Sequence, residues 1–477
     1  MKDANVTSMQ PFVGVVLAAG MGTRMKSRLS KVLHPVAGRP LLEYPIRAVA
    51  GAGADRVVVV ASPGNQEGVR EAVNAISDIE TSVAIQEKPQ GTGDAARAAL
   101  SQLPESGWVC LINGDPPLIQ DADIQAFRDG IQNARTKLAI LSCELEEPTG
   151  YGRVLRDGSG AVRCVREQKD LESDQERSVK EVNAGMYMVD AAFLRAALAE
   201  LKSDNAQNEY YLTDIVERAA ALGVAEAIPG DPAALEGIND RTQLHTLEAL
   251  LYARIRDAHR RRGVTIRSED VLVDATVSIE PDVVLESGVS LRGNVSIGKD
   301  TVIDRGCVVT DSRIGANVYL KPYCVLQQAS LGAGAQVGPF AHLRPESDVG
   351  PDARVGNFVE LKKTRLGRGA KANHLAYLGD GDVGDGANVG AGTIFCNYDG
   401  FNKAKTVIGA GAFIGSDSQL IAPVRIGEGA YVATGTSVTD DVPANALAIS
   451  RGRQTVKEGY AKSLREKLLS AKRDSGQ

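Results

Sequence analysis

The sequence is poor in aromatic residues and contains no paired cysteine motif. Aromatic side chains make up 4% of the 477 residues, and there is a single tryptophan. Such a composition suits small, repetitive cores better than cores built around large rings. The six cysteines are scattered without any CxxC pair. This arrangement argues against a zinc site and indicates a chain that is kept reduced, as in the cytoplasm.

An excess of positive charge and a long apolar run are also missing. The net charge is −6, from 54 Lys and Arg against 60 Asp and Glu, and a nucleic-acid partner would require a basic face. The apolar run 12–19 is too short to span a bilayer, and Gly20 and Arg24 follow it instead of a cleavage site. We therefore expect a cytoplasmic protein with neither a nucleic-acid nor a membrane partner.

The strongest positive feature is a period of six in the C-terminal half. Aliphatic residues recur six apart in several runs, which are separated by slips of one residue; the first run is Val273, Ile279, Leu285, Leu291, Ile297, Ile303 and Val309. Neither an α-helix nor an ordinary strand has this period. Three hexads would form one triangular coil of about 18 residues, with coils stacked at the strand spacing of roughly 4.8 Å. Glycine often follows the aliphatic residue, as at Gly298 and Gly315, and we expect it to supply positive φ at the corners.

The hexad pattern resembles that of left-handed parallel β-helices built from hexapeptide repeats, and this resemblance implies a homotrimer. The pattern fails in two segments, 362–383 and 396–406, which we interpret as interruptions of the scaffold. Such interruptions commonly carry function. A lone histidine is more often structural, but His374 lies in the first interrupted segment, and Asn388, Asn397 and Tyr398 are expected nearby. This setting favours a functional role for His374.

The N-terminal half alternates short β-branched runs with helical stretches, which favours a Rossmann-like α/β domain with a mainly parallel sheet. We predict strands at 12–17, 56–61, 81–85 and 108–112, and helices at 41–52, 65–75, 92–103 and 121–133. Ligands of such sheets bind beyond the carboxyl ends of the strands. The predicted organisation is a domain over 1–240, a linker helix over 241–262, the β-helix over 263–450 and a polar tail over 451–477.

A glycine-rich turn follows the first predicted strand, in the segment LAAGMGTRM (17–25), and Ser30-Lys31-Val32-Leu33 comes shortly after it. Backbone N–H groups of such a turn can approach phosphates closely, and Arg24 and Lys31 add positive charge. The third glycine of a dinucleotide fingerprint is missing, so NAD binding is the weaker interpretation. The combined motif resembles the sugar-nucleotidyltransferase family.

That resemblance implies a substrate site for a sugar 1-phosphate and a nucleoside triphosphate, with Arg24 and Lys31 catalytic and Mg²⁺ held by Asp115 and Asn239. The chemistry would be attack of the sugar phosphate on the α-phosphate, with release of pyrophosphate, driven by positioning and charge neutralisation. Asn113 departs from the tyrosine that is usual in the family. The implied binding residues are Leu17, Ala18, Ala19, Gly20, Lys31, Gln86, Gly91, Thr92, Asn113, Gly114, Asp115, Gly152, Glu167, Asn183 and Asn239.

Several strings of the second half, including AKANHLAYLGD (370–380) and CNYDGFNK (396–403), resemble one family of bacterial enzymes. These are the bifunctional N-acetylglucosamine-1-phosphate uridyltransferases and glucosamine-1-phosphate N-acetyltransferases, and the likeness runs collinearly from about residue 12 to 459. It implies UTP and acetyl-CoA as co-substrates and His374 as the general base. It also implies sugar-phosphate contacts from Arg344, Lys362, Tyr377, Asn388 and Lys403, and acetyl-CoA contacts from Ala391, Asn397, Tyr398, Ser416, Thr434 and Arg451.

Two other functions stay open at the level of the sequence. An ADP-glucose or mannose-1-phosphate nucleotidyltransferase would also join an α/β domain to a β-helix, but His374 and the NYDG segment argue against it. A scaffold that merely binds nucleotide is disfavoured by the presence of Arg24, Lys31 and Asp115 together.

Overall fold

The computed structural model describes residues 10–474, which form two compact units. One unit comprises the described residues up to Ala258 together with Val273–Thr276, and the other comprises His259–Leu272 and the residues from Val277 onward. In the part of the chain that is described, no helix is long and apolar enough to cross a membrane.

The first unit is built around a mixed nine-stranded sheet, together with a separate two-stranded ribbon. Its strands are β1 Phe12–Leu17, β2 Pro35–Val36, β3 Arg39–Pro40, β4 Arg56–Ala61, β5 Thr81–Ile85, β6 Trp108–Asn113, β7 Leu138–Glu144, β8 Arg153–Arg156, β9 Val162–Arg166, β10 Glu181–Asp190 and β11 Ala225–Pro229. Its helices are α1 Glu43–Gly51, α2 Gln66–Asn74, α3 Thr92–Ala99, α4 Asp121–Asp129, α5 Asp174–Arg177, α6 Ala191–Ala199, α7 Asp214–Ala221 and α8 Pro232–Leu235. A ninth helix, α9 Arg241–Arg261, runs across the boundary between the units.

The main path of the sheet has the order β11-β7-β10-β6-β1-β4-β5, and β10 pairs antiparallel with both of its neighbours. The other strands of this path are parallel, so the prediction of a mainly parallel α/β domain is confirmed. The predicted strands at 12–17, 56–61 and 81–85 have those bounds, and β6 extends one residue further than predicted, to Asn113. Each predicted helix forms but is shorter at one or both ends.

Aliphatic side chains fill both faces of the sheet. One face packs against α3, α6 and α7 around Val15, Val58 and Leu111, and the other packs against α1, α2 and α4 around Val16, Val59 and Ile112. Because both faces are covered, these strands are nearly continuous runs of buried β-branched residues. β1 and β6 are neighbouring parallel strands near the centre of the sheet, so their carboxyl ends lie side by side.

The second unit is a stack of short parallel strands, which confirms the predicted hexapeptide β-helix. Strands on equivalent sides of successive coils pair in register, as β15 pairs with β18 and β18 with β21. The strands are β12 Thr265–Ile266, β13 Leu272–Val273, β14 Ser278–Ile279, β15 Val284–Leu285, β16 Ser290–Arg292, β17 Ser296–Ile297, β18 Val302–Ile303, β19 Val308–Thr310, β20 Arg313–Ile314, β21 Tyr319–Leu320, β22 Val325–Gln327, β23 Ser330–Leu331, β24 Gln336–Val337, β25 His342–Leu343, β26 Asp348–Val349, β27 Arg354–Asn357, β28 Glu360–Leu366, β29 Lys371–His374, β30 Tyr377–Val383, β31 Asn388–Val389, β32 Ile394–Cys396, β33 Thr406–Ile408, β34 Phe413–Ile414, β35 Gln419–Ile421, β36 Val424–Ile426, β37 Tyr431–Val432, β38 Ser437–Val438 and β39 Leu447–Ala448. Helix α10, Tyr460–Asp474, lies in the predicted tail and is exposed along its length.

The predicted interruption at 362–383 is wrong. Leu366 pairs with Val349 on the preceding coil, and Ala372 pairs with Val355 on one side and Val389 on the other. The coil therefore continues without a break, although alanine replaces the usual larger aliphatic residue at 372 and hides the period. The segment 397–405 does leave the coil, and a bridge between Tyr398 and Lys403 closes it into a hairpin-like excursion.

The glycines that follow the aliphatic residues have a different role from the one predicted. Gly298 and Gly315 do not adopt positive φ. A Cβ added at Gly298 would lie 2.6 Å from the amide nitrogen of Ala316, and one at Gly315 would lie 2.8 Å from that of Ala333. These turns need glycine because adjacent coils approach too closely for a side chain. Positive φ elsewhere is often adopted by Asp or Asn, as at Asp300 and Asn317.

Replacing Gly298 with Ala is therefore expected to destabilise the β-helix by about 1–3 kcal/mol, because the new methyl group overpacks a backbone contact. The measurement is the thermal unfolding midpoint of the full chain, followed by circular dichroism. Gly386→Asn is the matched control, since Gly386 has a φ of 66° and no atom within 4 Å of an added Cβ. Asn tolerates that conformation. Equal midpoints for Gly298→Ala and the wild type would contradict the close-approach explanation.

Candidate active sites

The glycine-rich turn follows β1, the central strand between β4 and β6. The amide nitrogen of Ala18 donates to the carbonyl of Val60 (2.8 Å), and the Asn65 amide group donates to the carbonyl of Ala18 (2.8 Å). Gly22 has a φ of 59°, and a Cβ there would lie 2.4 Å from Cβ of Lys31. Glycine at 22 thus allows the turn to fold onto the segment that carries Lys31.

Lys31 links three parts of the chain that are distant in sequence. Its ammonium group donates to Asp115 Oδ2 at 2.5 Å and to Asn239 Oδ1 at 3.2 Å. Arg24 Nη2 donates to the same oxygen of Asn239 at 2.9 Å. Two cations and two oxygen-bearing side chains therefore meet just beyond the carboxyl end of the central strands.

This cluster lies where two adjoining cavities share residues, among them Leu17, Asn113 and Asp115. The first cavity, of about 340 Å³, is lined by the glycine-rich turn and by the segment around Gly91. The second, of about 390 Å³, is lined by loops at the other side of Asp115. All the residues predicted for nucleotidyl transfer line one or both: Leu17, Ala18, Ala19, Gly20, Lys31, Gln86, Gly91, Thr92, Asn113, Gly114 and Asp115 the first, and Arg24, Gly152, Glu167, Asn183 and Asn239 the second.

In the first cavity, Gln86 is held by both hydrogens of its amide group. Its Nε2 donates to the carbonyl of Gly91 (3.0 Å) and to Asp94 Oδ2 (2.8 Å), and the side chain is buried. The amide oxygen of Gln86 then remains as its acceptor. Gly91 itself has a φ of 108° and lies against the backbone of Tyr210, where a Cβ would come within 2.5 Å of the carbonyl oxygen.

In the second cavity, two buried residues support the predicted ones. Thr213 Oγ1 donates to Glu167 Oε1 at 3.1 Å, and Asn183 Nδ2 donates to the hydroxyl oxygen of Tyr187 at 2.7 Å. Burial raises the pKa of Glu167 above its ordinary value. A bulge in the pairing of β10 with β7, between Asn183 and Tyr187, turns Asn183 into the cavity. Sequence reasoning missed Thr213 and Tyr187, because neither belongs to a motif by itself.

In the β-helix, four of the predicted acetyl-transfer residues, His374, Ala391, Ser416 and Thr434, lie at equivalent positions of successive coils. The carbonyls of His374, Ala391 and Ser416 accept hydrogen bonds from Gly392 (3.3 Å), Asp417 (2.7 Å) and Gly435 (2.9 Å) of the next coil. Together with Asn357 on the preceding coil, these residues form a corner column: Asn357, His374, Ala391, Ser416 and Thr434. Arg451 extends it, since its Nη1 donates to the carbonyl of Thr434 at 3.0 Å.

The predicted sugar-phosphate residues lie on the neighbouring side of the same coils. Strand pairing sets Glu360 beside Tyr377 and Lys362 beside Gly379. Arg344 Nη1 contacts Glu360 Oε1 at 2.8 Å. Contact of the Lys403 ammonium group with that of Lys362, and the like charge of the two groups, lower the pKa of Lys403. Two neighbouring ammonium groups are the charge complement of a doubly charged anion.

The remaining predicted residues of this half lie on the next coils. Asn388 begins β31, one coil beyond Lys371, with which it pairs. Asn397 donates from Nδ2 to Asp380 Oδ2, and Tyr398 begins the excursion that carries Lys403. Asn357 and Glu360 were missed by sequence reasoning; Asn357 Oδ1 lies 2.8 Å from Nδ1 of His374.

Two family models match segments of the chain, one in each half. A family model described as "MobA-like NTP transferase domain" matches residues 14–179, and one described as "Bacterial transferase hexapeptide (six repeats)" matches residues 405–440. A crystal structure titled as a glucose-1-phosphate thymidylyltransferase from Bacillus anthracis aligns with half of the chain and 94% of its own, at 17% identity and a TM-score of 0.42.

Curated relatives match over nearly the whole length. The "Bifunctional protein GlmU" of Sorangium cellulosum is 52% identical over 98% of this chain and 99% of its own. Proteins of the same name from Trichlorobacter lovleyi and Anaeromyxobacter dehalogenans are 44% and 47% identical over 95% and 94% of this chain and 98% and 92% of their own. The identity and coverage are far above what a shared fold alone requires, and the resemblance found in the sequence is confirmed: the chain belongs to the family of bifunctional GlmU proteins.

Proposed function

We propose that the two sites carry out consecutive steps of UDP-N-acetylglucosamine synthesis. The protein is a bifunctional transferase: the β-helix transfers an acetyl group from acetyl-CoA to glucosamine 1-phosphate, and the α/β unit transfers a uridylyl group from UTP to the product. The observation that carries the proposal is the presence of two separate constellations in one chain, one around Lys31 and Asp115 and one around His374.

For uridylyl transfer, the first cavity receives UTP and the second receives the sugar 1-phosphate. The glycine-rich turn offers backbone N–H groups to the phosphates, and the amide oxygen of Gln86 can accept the N3–H of uracil. Glu167 and Asn183 bind the sugar. The cavities adjoin at Asp115, so the attacking phosphate oxygen is presented to the α-phosphate and pyrophosphate leaves. Arg24 and Lys31 stabilise the charge that accumulates on the phosphates.

Asp115 and Asn239 also fit a Mg²⁺ ion, which the family implies. Both present oxygen atoms to a single cationic group, the ammonium of Lys31, at 2.5 and 3.2 Å. In the described residues no three His, Cys, Asp or Glu side chains gather to form a complete metal cage. Mg²⁺ in phosphoryl-transfer sites commonly takes one or two carboxylates and completes its shell with substrate phosphates and water. When bound, Mg²⁺ would neutralise charge on the transferred and leaving phosphates.

For acetyl transfer, His374 acts as the general base. It accepts a proton from the amino group of glucosamine 1-phosphate while the nitrogen attacks the thioester carbonyl; the C–N bond forms, the C–S bond breaks, and coenzyme A leaves with the proton returned to its sulfur. Arg344, Lys362 and Lys403 bind the sugar phosphate, and Tyr377 and Asn388 orient the sugar. Ala391, Asn397, Tyr398, Ser416, Thr434 and Arg451 bind acetyl-CoA along and beside the corner column.

The β-helix also favours self-association, and we propose a homotrimer. Tyr323, Phe340 and Phe358 stack on successive coils with centroid distances of 5.5 and 5.4 Å, and each ring is about half exposed. An apolar ladder of this kind is typical of a surface that a partner covers. Because UTP and acetyl-CoA are cytoplasmic metabolites, we place the enzyme in the cytoplasm.

Asp115→Ala is expected to lower uridylyl transfer by about a hundredfold, because it removes the carboxylate that is proposed to hold Mg²⁺ and that contacts Lys31. Acetyl transfer by the same variant should be unchanged, which excludes global unfolding. The assay measures pyrophosphate release at several Mg²⁺ concentrations, with Asp129→Ala, an exposed aspartate of α4, as the control. Wild-type Mg²⁺ dependence in Asp115→Ala would rule out the metal role.

His374→Ala is expected to lower acetyl transfer by about 10²–10⁴-fold, the usual contribution of a general base, and to leave uridylyl transfer intact. Release of free coenzyme A thiol measures the first activity, and pyrophosphate release measures the second. His245→Ala, an exposed histidine of α9, serves as the control and should retain both activities. A parallel loss of both activities in His374→Ala would contradict the two-site assignment.

The mass of the full chain in solution should correspond to three copies of the 50.4 kDa chain. Light scattering coupled to size-exclusion chromatography measures it over a range of concentrations. A monomer that persists at micromolar concentration would contradict the trimer.

A further inference from the structure

Asn357 lies one coil before His374 and contacts it through both backbone and side chain. Strand β27 pairs with β29 so that Asn357 stands beside His374, 17 residues away in sequence. The carbonyl of Asn357 accepts from the amide of Leu375 at 3.1 Å. Its side-chain Oδ1 lies 2.8 Å from Nδ1 of His374. Asn357 therefore contacts both the backbone next to His374 and the imidazole itself.

The close approach of these two coils is a local feature of the sequence. Gly356 precedes Asn357, and a Cβ at that position would lie 1.8 Å from the carbonyl oxygen of Asn373. Glycine at 356 allows the backbone before Asn357 to pack directly on the backbone before His374. By the register of the paired strands, the equivalent positions on the preceding coils hold Pro339, Pro322 and Arg305, so an amide side chain stands at this corner only beneath the histidine in that part of the column.

The chemical character of the contact determines which nitrogen can act as a base. An amide oxygen accepts hydrogen bonds and cannot donate them. The neutral imidazole must then carry its hydrogen on Nδ1, and its lone pair is on Nε2. A partner on one ring nitrogen also limits rotation about the Cβ–Cγ bond. The imidazole of His374 is exposed, and this contact is the interaction that would restrict it to one tautomer and one orientation.

No carboxylate competes for this role on the paired strands. The charged residues of β27, β29 and β31, apart from His374 itself, are Arg354 and Lys371. A neutral amide beside the imidazole holds the proton on Nδ1 without stabilising the imidazolium form as strongly as a carboxylate does. This suits a general base, because only the neutral imidazole can accept a proton.

We infer that Asn357 is a positioning residue for acetyl transfer: it holds Nδ1–H of His374 and leaves Nε2 to accept the proton of the attacking amine. The inference rests on the proposed role of His374 as general base. It assigns to Asn357 no contact with either substrate, and its effect is expected on kcat and on the pH profile and not on substrate affinity.

The first test compares Asn357→Ala and Asn357→Asp in the full chain. Asn357→Ala should lower kcat for acetyl transfer about tenfold or more, a part of the whole general-base contribution, and leave both KM values within about twofold. Asn357→Asp keeps an acceptor, so kcat should recover to within about tenfold of the wild type. Its carboxylate favours imidazolium, which should move the acidic limb of the kcat profile upward by about one pH unit.

Two controls separate positioning from loss of structure. Arg305→Ala removes a side chain from the same corner position three coils earlier and should leave kcat and the pH profile unchanged. Uridylyl transfer by each variant reports on the α/β unit, and the thermal midpoint reports on the β-helix. A kcat loss in Asn357→Ala that Asn357→Asp does not recover, with an unshifted pH profile, would overturn the inference.

The second test detects the tautomer directly and requires no variant of Asn357. Nitrogen-15 shifts of labelled histidine in the wild-type protein distinguish the two tautomers, and His374→Gln identifies the His374 signal among the five histidines. The inference requires hydrogen on Nδ1; a spectrum showing hydrogen on Nε2 would overturn it. If His374→Gln retained acetyl transfer while the Nδ1–H tautomer was observed, the proposed base would be wrong and the Asn357 contact would still stand.

Discussion

The β-helix depends on one constraint: every coil must lie at backbone hydrogen-bonding distance from the next. This spacing stacks equivalent positions of the sequence on one another, so that Leu343, Leu361 and Leu378 form one inward column. It also requires the backbone to be bare where the turns meet, which explains glycine at 298 and 315. Function uses the same repetition, because outward positions that recur every coil form straight tracks along the surface. The corner column is one such track.

A long, flexible cofactor suits a track of this kind. Residues at one position of successive coils present a row of groups with constant spacing, and an extended chain can follow them without any deep pocket. The excursion at 397–405 departs from the coil one coil above Tyr377, where Asn397 contacts Asp380, and it brings Lys403 toward Lys362. The regular coils thus provide the extended surface, and the segment that leaves the coil adds a second cation, Lys403, beside Lys362.

The α/β unit also brings charged side chains together, but it does so with loops and not with repeated coils. Its central strands end side by side, and the loops that follow them bring Lys31, Asp115 and Asn239 together from positions far apart in sequence. In the proposed function, the cations of both sites bind phosphates, and neither reaction requires a covalent intermediate with the protein. Division of the chain into two units allows each site to use the scaffold that suits its substrate.

The sequence alone determined the elements whose signals are local and repeated. Strands β1 and β4 are short buried runs bounded by turn residues, β5 is a short β-branched run at the edge of the sheet, and the hexads repeat often enough to define the β-helix. The prediction from the sequence was wrong where one residue interrupts the hexad period but the coil continues. Ala372 is such a residue, because its small side chain still points inward. The prediction also assigned glycine to dihedral freedom where the true reason is the distance between coils. Only the tertiary structure identified Asn357, Thr213 and the contact of Lys31 with Asn239, because those partners are common residue types joined across 17, 46 and 208 positions. A local pattern carries no information about such pairs, since chain packing alone brings them within hydrogen-bonding distance.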